Sequence, residues 1–202
     1  MHTERVCDDG QCMSVYMEAP LCYANAVRRA LMLDVWSLAI DYVTIAENVS
    51  CMPNEMIAHR IGMIPVIGCG HVFGPVKAGE DRDWRNCVRF ALHVRGRNVD
   101  SGDLCGDVDG SFVQNGIGVS PLSSEQQVLR LEAEATLGNG RQHARWNCAV
   151  AARCTSECES SDKRCIRFES TGAIPRDEML KQAVQGVIRS LAELRRAMES
   201  KA

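Results

Sequence analysis

No run of apolar residues in the 202-residue sequence approaches the roughly 20 positions a helix needs to cross a bilayer, so no membrane partner is expected. Met1 to Gly10 carries Glu4, Arg5, Asp8 and Asp9 where a secretory signal would hold an apolar stretch, so export is not expected either. An excess of positive charge is also missing. The net charge of -3 supplies no polycationic field, which excludes binding nucleic acid chiefly by neutralising phosphates. DNA would have to be met through partners. The sequence contains no internal repeat, no phosphate-cradling glycine loop and no set of nucleophile, base and orienting group.

Cysteine, by contrast, is plentiful and odd in number, at 11. In the reducing compartment expected of an unexported chain, such residues are free thiols or metal ligands rather than disulfides. A hydrophobic content of 46% can fill a core, and a chain of this length removes roughly 70% or more of its unfolded surface from water. One large domain or two small interleaved ones fit the length.

Alternation with period two marks the strands. Met13, Val15 and Met17 alternate with Ser14 and Tyr16. A helix follows from about Pro20, whose fixed φ suits a first turn, and Val27, Leu31 and Val35 share one of its faces. Ala39 to Ile45 is rich in β-branched residues and forms a second strand. Val88, Phe90, Leu92 and Val94 form a half-buried strand, as do Leu129, Leu131, Ala133 and Ala135, and Ile166, Phe168 and Ser170 mark another. Between them, Ile67 to Asp83 and Asp100 to Ser120 are rich in turn formers and read as loops.

A long terminal helix begins near Pro175. Its apolar residues Leu180, Val184, Val187, Leu191, Leu194 and Met198 step by four and three, the spacing of a narrow heptad seam. Such a seam either docks on its own domain or receives the helix of another chain.

Four blocks carry a resemblance. They are Ala24-Asn25-Ala26-Val27-Arg28-Arg29-Ala30-Leu31 with Leu38 to Ile45; Asn48-Val49-Ser50 with Asn54 to Pro65, which contains Glu55, His59 and Arg60; Gly138 to Trp146, with its histidine, alanine, basic residue and tryptophan; and Phe168 to Pro175. In this order they resemble the α-like subunits of multisubunit DNA-directed RNA polymerases. These include the third-largest subunit of eukaryotic RNA polymerase II, its polymerase I/III counterpart, the corresponding archaeal protein and, more distantly, the bacterial α N-terminal domain. The resemblance implies an α+β fold in which a discontinuous dimerisation domain (1–47 and 161–202, strands plus two helices) holds an inserted β-rich domain (48–160). It also implies a non-catalytic assembly role. The chain would pair with a smaller α-like polymerase subunit, anchor the second-largest subunit and meet small zinc-binding subunits, with DNA reached only through the complex. The compartment would be the nucleus in a eukaryote, and the cytoplasm or virion for an archaeal or viral polymerase.

Among candidate site residues, Arg28 and Arg29 match family arginines that face the large subunits, against the plainer reading of a solvated helix face. Asn25 either caps locally or bonds a partner backbone. The terminal seam supplies the remaining partner-binding residues. Glu55 lies one helical turn before His59, and with His143 these side chains could suggest acid–base chemistry or a metal-dependent enzyme. Without a supporting set they are read, with Arg60 and Trp146, as structural motif residues. No cofactor is expected. Cys69, His71 and Cys87 fall short of the family's four-cysteine cluster, and Cys148, Cys154, Cys158 and Cys165 lack the two-residue knuckle of structural zinc sites, so free thiols are expected. Asn147-Cys148 also departs from the family's small residue and proline after the tryptophan. A free-standing α+β dimerisation module outside a polymerase is the rival function.

Overall fold

The computed structural model describes residues 3–6, 12–68, 74–76, 82–83, 86–106, 113–156 and 163–200. Their elements run β1 (Thr3–Val6), β2 (Cys12–Glu18), α1 (Leu21–Leu33), β3 (Trp36–Asn48), α2 (Asn54–Gly62), β4 (Cys87–Arg95), β5 (Val99–Asp100), β6 (Cys105–Gly106), β7 (Gly118–Ser120), β8 (Val128–Asn139), β9 (Ala149–Ser156), β10 (Lys163–Ser170) and α3 (Arg176–Glu199). The fold is α+β and divides into two compact units. One is formed by Met1–Trp36 with Asn139–Ala202, the other by Ser37–Gly138. These limits differ from those expected at 47/48 and 160/161 for a physical reason. β3 begins at Trp36 and joins the second unit's sheet, while β9 is hydrogen-bonded into the first unit's sheet.

The first unit is a four-stranded antiparallel sheet, ordered β1-β2-β10-β9, carrying α1 and α3. Register fixes which side chains face the helices. Ile166 pairs with Val15 and Phe168 with Met13, and all four are buried with Leu31 and Met179 in one core. Each such side chain contributes roughly 1.5–3 kcal/mol on full burial, so this layer holds the helices to the sheet. Pro20 is the cap of α1 rather than part of its first turn: its ψ of 148° is extended, and its carbonyl accepts from the N–H groups of Tyr23 and Ala24. The helix stops at Leu33, with the Asp34 N–H closing on the Ala30 carbonyl at 2.8 Å, so Val35 is buried beyond the helix rather than on its face.

β9 is a strand that the sequence alternation does not mark. Arg153 pairs with Arg167 but Val150 pairs with Glu169, so Ala151 and Ala152 both stand opposite Phe168, and Ala151 takes a φ of 52°. This bulge breaks the period of two that marks the other strands.

In the second unit β3, β8, β4 and β6 form a four-stranded sheet. Here the alternation expected from sequence is observed. Val88 faces Ala135, Phe90 faces Ala133, Leu92 faces Leu131 and Val94 faces Leu129 across the β4–β8 ladder, all buried. Ile57 and Ile61 are buried from α2 at i and i+4. Arg82 lies 3.0 Å from Asp41 and 3.1 Å from Glu134, with its guanidinium 5.3 Å from the Tyr42 ring centre. The stretch read as a loop from Asp100 to Ser120 is partly ordered. β5 pairs with β7 and β6 with β4, and Val99, Leu104 and Val119 are buried, so scattered apolar residues among turn formers anchor it. Residues 107–112, and most of the loop expected over 67–83, lie outside the described residues.

Candidate functional site

α3 opens with Asp177 and Glu178 in its first turn, where negative charge suits the helix N-terminus. Met179, Ala183 and Gly186 are its buried residues. The heptad seam lies off this face and is divided by the structure. Leu180 and Val187 pack at the edge of the first unit's core, whereas Val184, Leu191, Leu194 and Met198 are exposed, Leu191 by 56% and Met198 by 66%. Ile188, 61% exposed, widens the stripe and falls outside the seam pattern. Its sequence signal is its position four residues after Val184 and three before Leu191. From Ile188 to Glu199 every residue of α3 is exposed.

Beside this stripe, α1 and α3 enclose a groove of about 290 Å³. α1 supplies Ala26, Arg29, Ala30 and Leu33 at three- and four-residue spacing, and α3 supplies Val187, Ser190, Leu191 and Leu194. Asp34 and Arg141 also line it. Arg141 Nε donates to Asp34 Oδ1 at 2.5 Å. The Asp34 hydrogen bond and charge, with a smaller contribution from Glu193, hold the guanidinium above its usual pKa. Two glycines make this meeting possible. A Cβ on Gly186 would lie 2.9 Å from the Asp34 Cβ, and one on Gly140 would overlap the Met32 carbonyl oxygen and Asn147 Oδ1.

The arginine pair separates. Arg28 is half-buried: its Nε donates to Asn25 Oδ1 at 2.9 Å and its terminal nitrogen to the Ala152 carbonyl of β9 at 3.4 Å. Arg29 is exposed at the groove wall. Asn25 is exposed and serves as a local acceptor for Arg28. Cys154 is half-buried near this arginine. Burial pushes its thiol pKa up, against the opposing charges of Arg164 and Arg28.

The other motif residues make local contacts. Asn48 Nδ2 donates to the Met52 carbonyl at 2.8 Å and its Oδ1 accepts from the Ser50 N–H at 3.0 Å, building the turn before α2. Glu55 and His59 are exposed on α2, and Arg60 donates to the Val119 carbonyl at 3.0 Å. His143 belongs to the first unit, where its Nδ1 accepts from the Arg145 N–H at 3.1 Å and caps a single 3-10 turn. That turn buries Trp146, with the Arg145 guanidinium 5.6 Å from the ring centre. Among the described residues no three His, Cys, Asp or Glu side chains gather as metal ligands, and Cys12, Cys87, Cys148, Cys154 and Cys165 are free thiols. Cys69, His71 and Cys158 lie outside the described residues.

Comparison with known proteins bears on this surface. Residues 19–191 match the profile described as the RNA polymerase Rpb3/Rpb11 dimerisation domain, a span that includes α1 and the first two thirds of α3. The chain is similar to proteins named DNA-directed RNA polymerase subunit Rpo3. That of Methanocaldococcus jannaschii is 30% identical over 88% of this chain and 84% of its own length. Those of Pyrobaculum islandicum and Halobacterium salinarum are 35% and 34% identical, over 63% and 71% of this chain. The chain matches about half the length of these last two, 51% and 54%. The exposed stripe on α3 and its groove against α1 thus lie in a chain that belongs to the RNA polymerase Rpb3/Rpb11 dimerisation-domain family.

Proposed function

We propose that the chain is a non-catalytic assembly subunit of a DNA-directed RNA polymerase, of the type represented by its archaeal relatives and by the third-largest subunit of RNA polymerase II. It pairs with a smaller α-like subunit through the α3 stripe and the α1–α3 groove. The pair then anchors the second-largest subunit, with Arg29 presented for that contact and Arg28 setting the helix on β9. The small zinc-binding subunits join the same assembly, and DNA is reached only through it. The archaeal relatives support a polymerase acting in the cytoplasm; a viral member would act in the cytoplasm or virion, and a eukaryotic one in the nucleus.

The observation that carries this reading is the apolar stripe left in solvent along α3. Val184, Ile188, Leu191, Leu194 and Met198 are exposed by 39% to 66%. At roughly 1.5–3 kcal/mol for a fully buried side chain, covering the exposed half of five gives about 4–8 kcal/mol. Association costs an estimated 4–15 kcal/mol, so the stripe alone holds no stable pair and the partner must also cover the adjoining face of α1.

Co-expression with the smaller α-like subunit of the same polymerase tests the proposal. The expected product is a one-to-one complex by light scattering that captures the second-largest subunit, with capture weakened when Arg28→Ala and Arg29→Ala are combined. A chain that stays monomeric beside the smaller subunit would return it to a free-standing module.

A further inference from the structure

We propose that Arg141 is a positioning residue for the dimerisation face: by pairing with Asp34 where α3 passes the end of α1, it fixes the groove into which the partner packs. The inference rests on the dimerisation reading above and adds to it a determinant outside both helices. Asp34 is the C-terminal cap of α1, where the unpaired carbonyls make the helix end partly negative. Its carboxylate is therefore in an unfavourable place. It is also largely withdrawn from water, with its side chain 16% exposed, so it needs a cation. No residue of α1's last turn is basic. The cation arrives from a turn 107 positions away in sequence.

Two close approaches make that arrival specific. Gly140 brings the turn onto the Met32 carbonyl, two residues before Asp34, and so delivers Arg141 to the carboxylate. Gly186 lets α3 pass against the Asp34 side chain from the other side. Gln182, one turn earlier on α3, accepts the Trp36 N–H at 3.0 Å. These contacts tether α3 just before its exposed half begins at Ile188. The Glu193 carboxylate is near enough to act on Arg141, so the guanidinium feels an acid from α3 as well as the one at the end of α1. Leu191 and Leu194 line the same groove as the pair, which makes their placement depend on it.

The test titrates the full chain with the smaller α-like subunit by calorimetry, using wild type, Arg141→Ala, Asp34→Asn and the reversed pair Asp34→Arg with Arg141→Asp. Each single change is expected to weaken pairing about tenfold, since contacting charges couple at that scale. Asp34→Asn, which leaves only the exposed Arg141 behind, should do so at near wild-type thermal stability, while Arg141→Ala should also lower the melting temperature modestly because it leaves the Asp34 carboxylate unpaired. The reversed pair should recover most of the affinity, and Arg141→Lys should fall between Ala and wild type. Wild-type affinity in both single variants would overturn the inference and leave the dimerisation reading intact. Affinity lost only in step with melting temperature, with no recovery in the reversed pair, would reduce Arg141 to a structural residue. If wild type itself ignores the smaller subunit, the reading beneath fails first.

Discussion

Replacing Leu191 by aspartate separates a helix that packs on its own domain from one that waits for a partner. Leu191 is 56% exposed in the free chain, so losing its buried part costs about 1 kcal/mol of folding stability. Pairing would be hurt more. The other half of the side chain, worth about another 1 kcal/mol, no longer enters the interface. A carboxylate must also either be buried unpaired, at several kcal/mol, or take up a proton. Protonation sets the ceiling: from an ordinary pKa near 3.9, it costs about 4 kcal/mol at pH 7 and about 1.5 kcal/mol at pH 5. The dissociation constant should rise at least about a hundredfold at pH 7. Relative to wild type at each pH, the deficit should shrink on acidification, because the neutral form is the tolerated one. Leu191→Asn should show a deficit without that pH dependence. Gln185→Asp, also exposed on α3 but outside the stripe, should pair normally. Sedimentation of the purified pair at the two pH values reads all of this. Unchanged pairing by Leu191→Asp would show that the stripe is not the interface, and an unfolded free chain would show that α3 depends on that residue for its own domain.

Two further outcomes are expected of the first unit. Gly140→Ala should lower the melting temperature by about 6 °C or more, since its Cβ would collide with the Met32 backbone oxygen, and overpacking of about 3 kcal/mol shifts a domain of this size by about 2–4 °C per kcal/mol; an unchanged melting curve would mean the turn is not packed on α1. Cys154 should be alkylated more slowly at pH 8 than exposed Cys22 and Cys51, because burial keeps its proton on. The unfolded chain loses that proton first, so native stability should decline as pH rises past the ordinary thiol value of 9.0, and Cys154→Ala should flatten this slope. Equal alkylation rates, or an unaltered slope, would count against the burial.

How much of this is legible in the sequence depends on whether a single face of an element is buried. β4 and β8 announce themselves because each puts one row into the core and one into water, and their pairing repeats the pattern residue for residue. β9 does not, because Ala149, Ala151 and Ala152 are weak strand formers and the bulge at Ala151 breaks the alternation. The period of α3 is plain, yet the face that docks on the unit is not the one that looks apolar. After Met179, Ala183 and Gly186 lie against the rest of the unit through small size rather than hydrophobicity, and the large apolar residues from Ile188 onward are left outside. At the candidate site, the motif blocks point to Arg28, Arg29 and His143, but only the folded chain divides the arginines and brings Asp34 to Arg141. A contact across 107 positions leaves no local spacing to read.

β3 and β8, the strands that carry the chain into and out of the second unit, are hydrogen-bonded neighbours in one sheet. Adjacent strands lie about 4.8 Å apart, so the break this unit makes in the first is narrow. A gap of that width is one a short turn can bridge. The second unit therefore begins and ends on a paired stem, which lets its loops lengthen, shorten or be exchanged while the stem strands stay paired. It also gives protein engineers a concrete cut: joining the two strands near Ser37 and Gly138 by a tight hairpin would leave the first unit as one short chain.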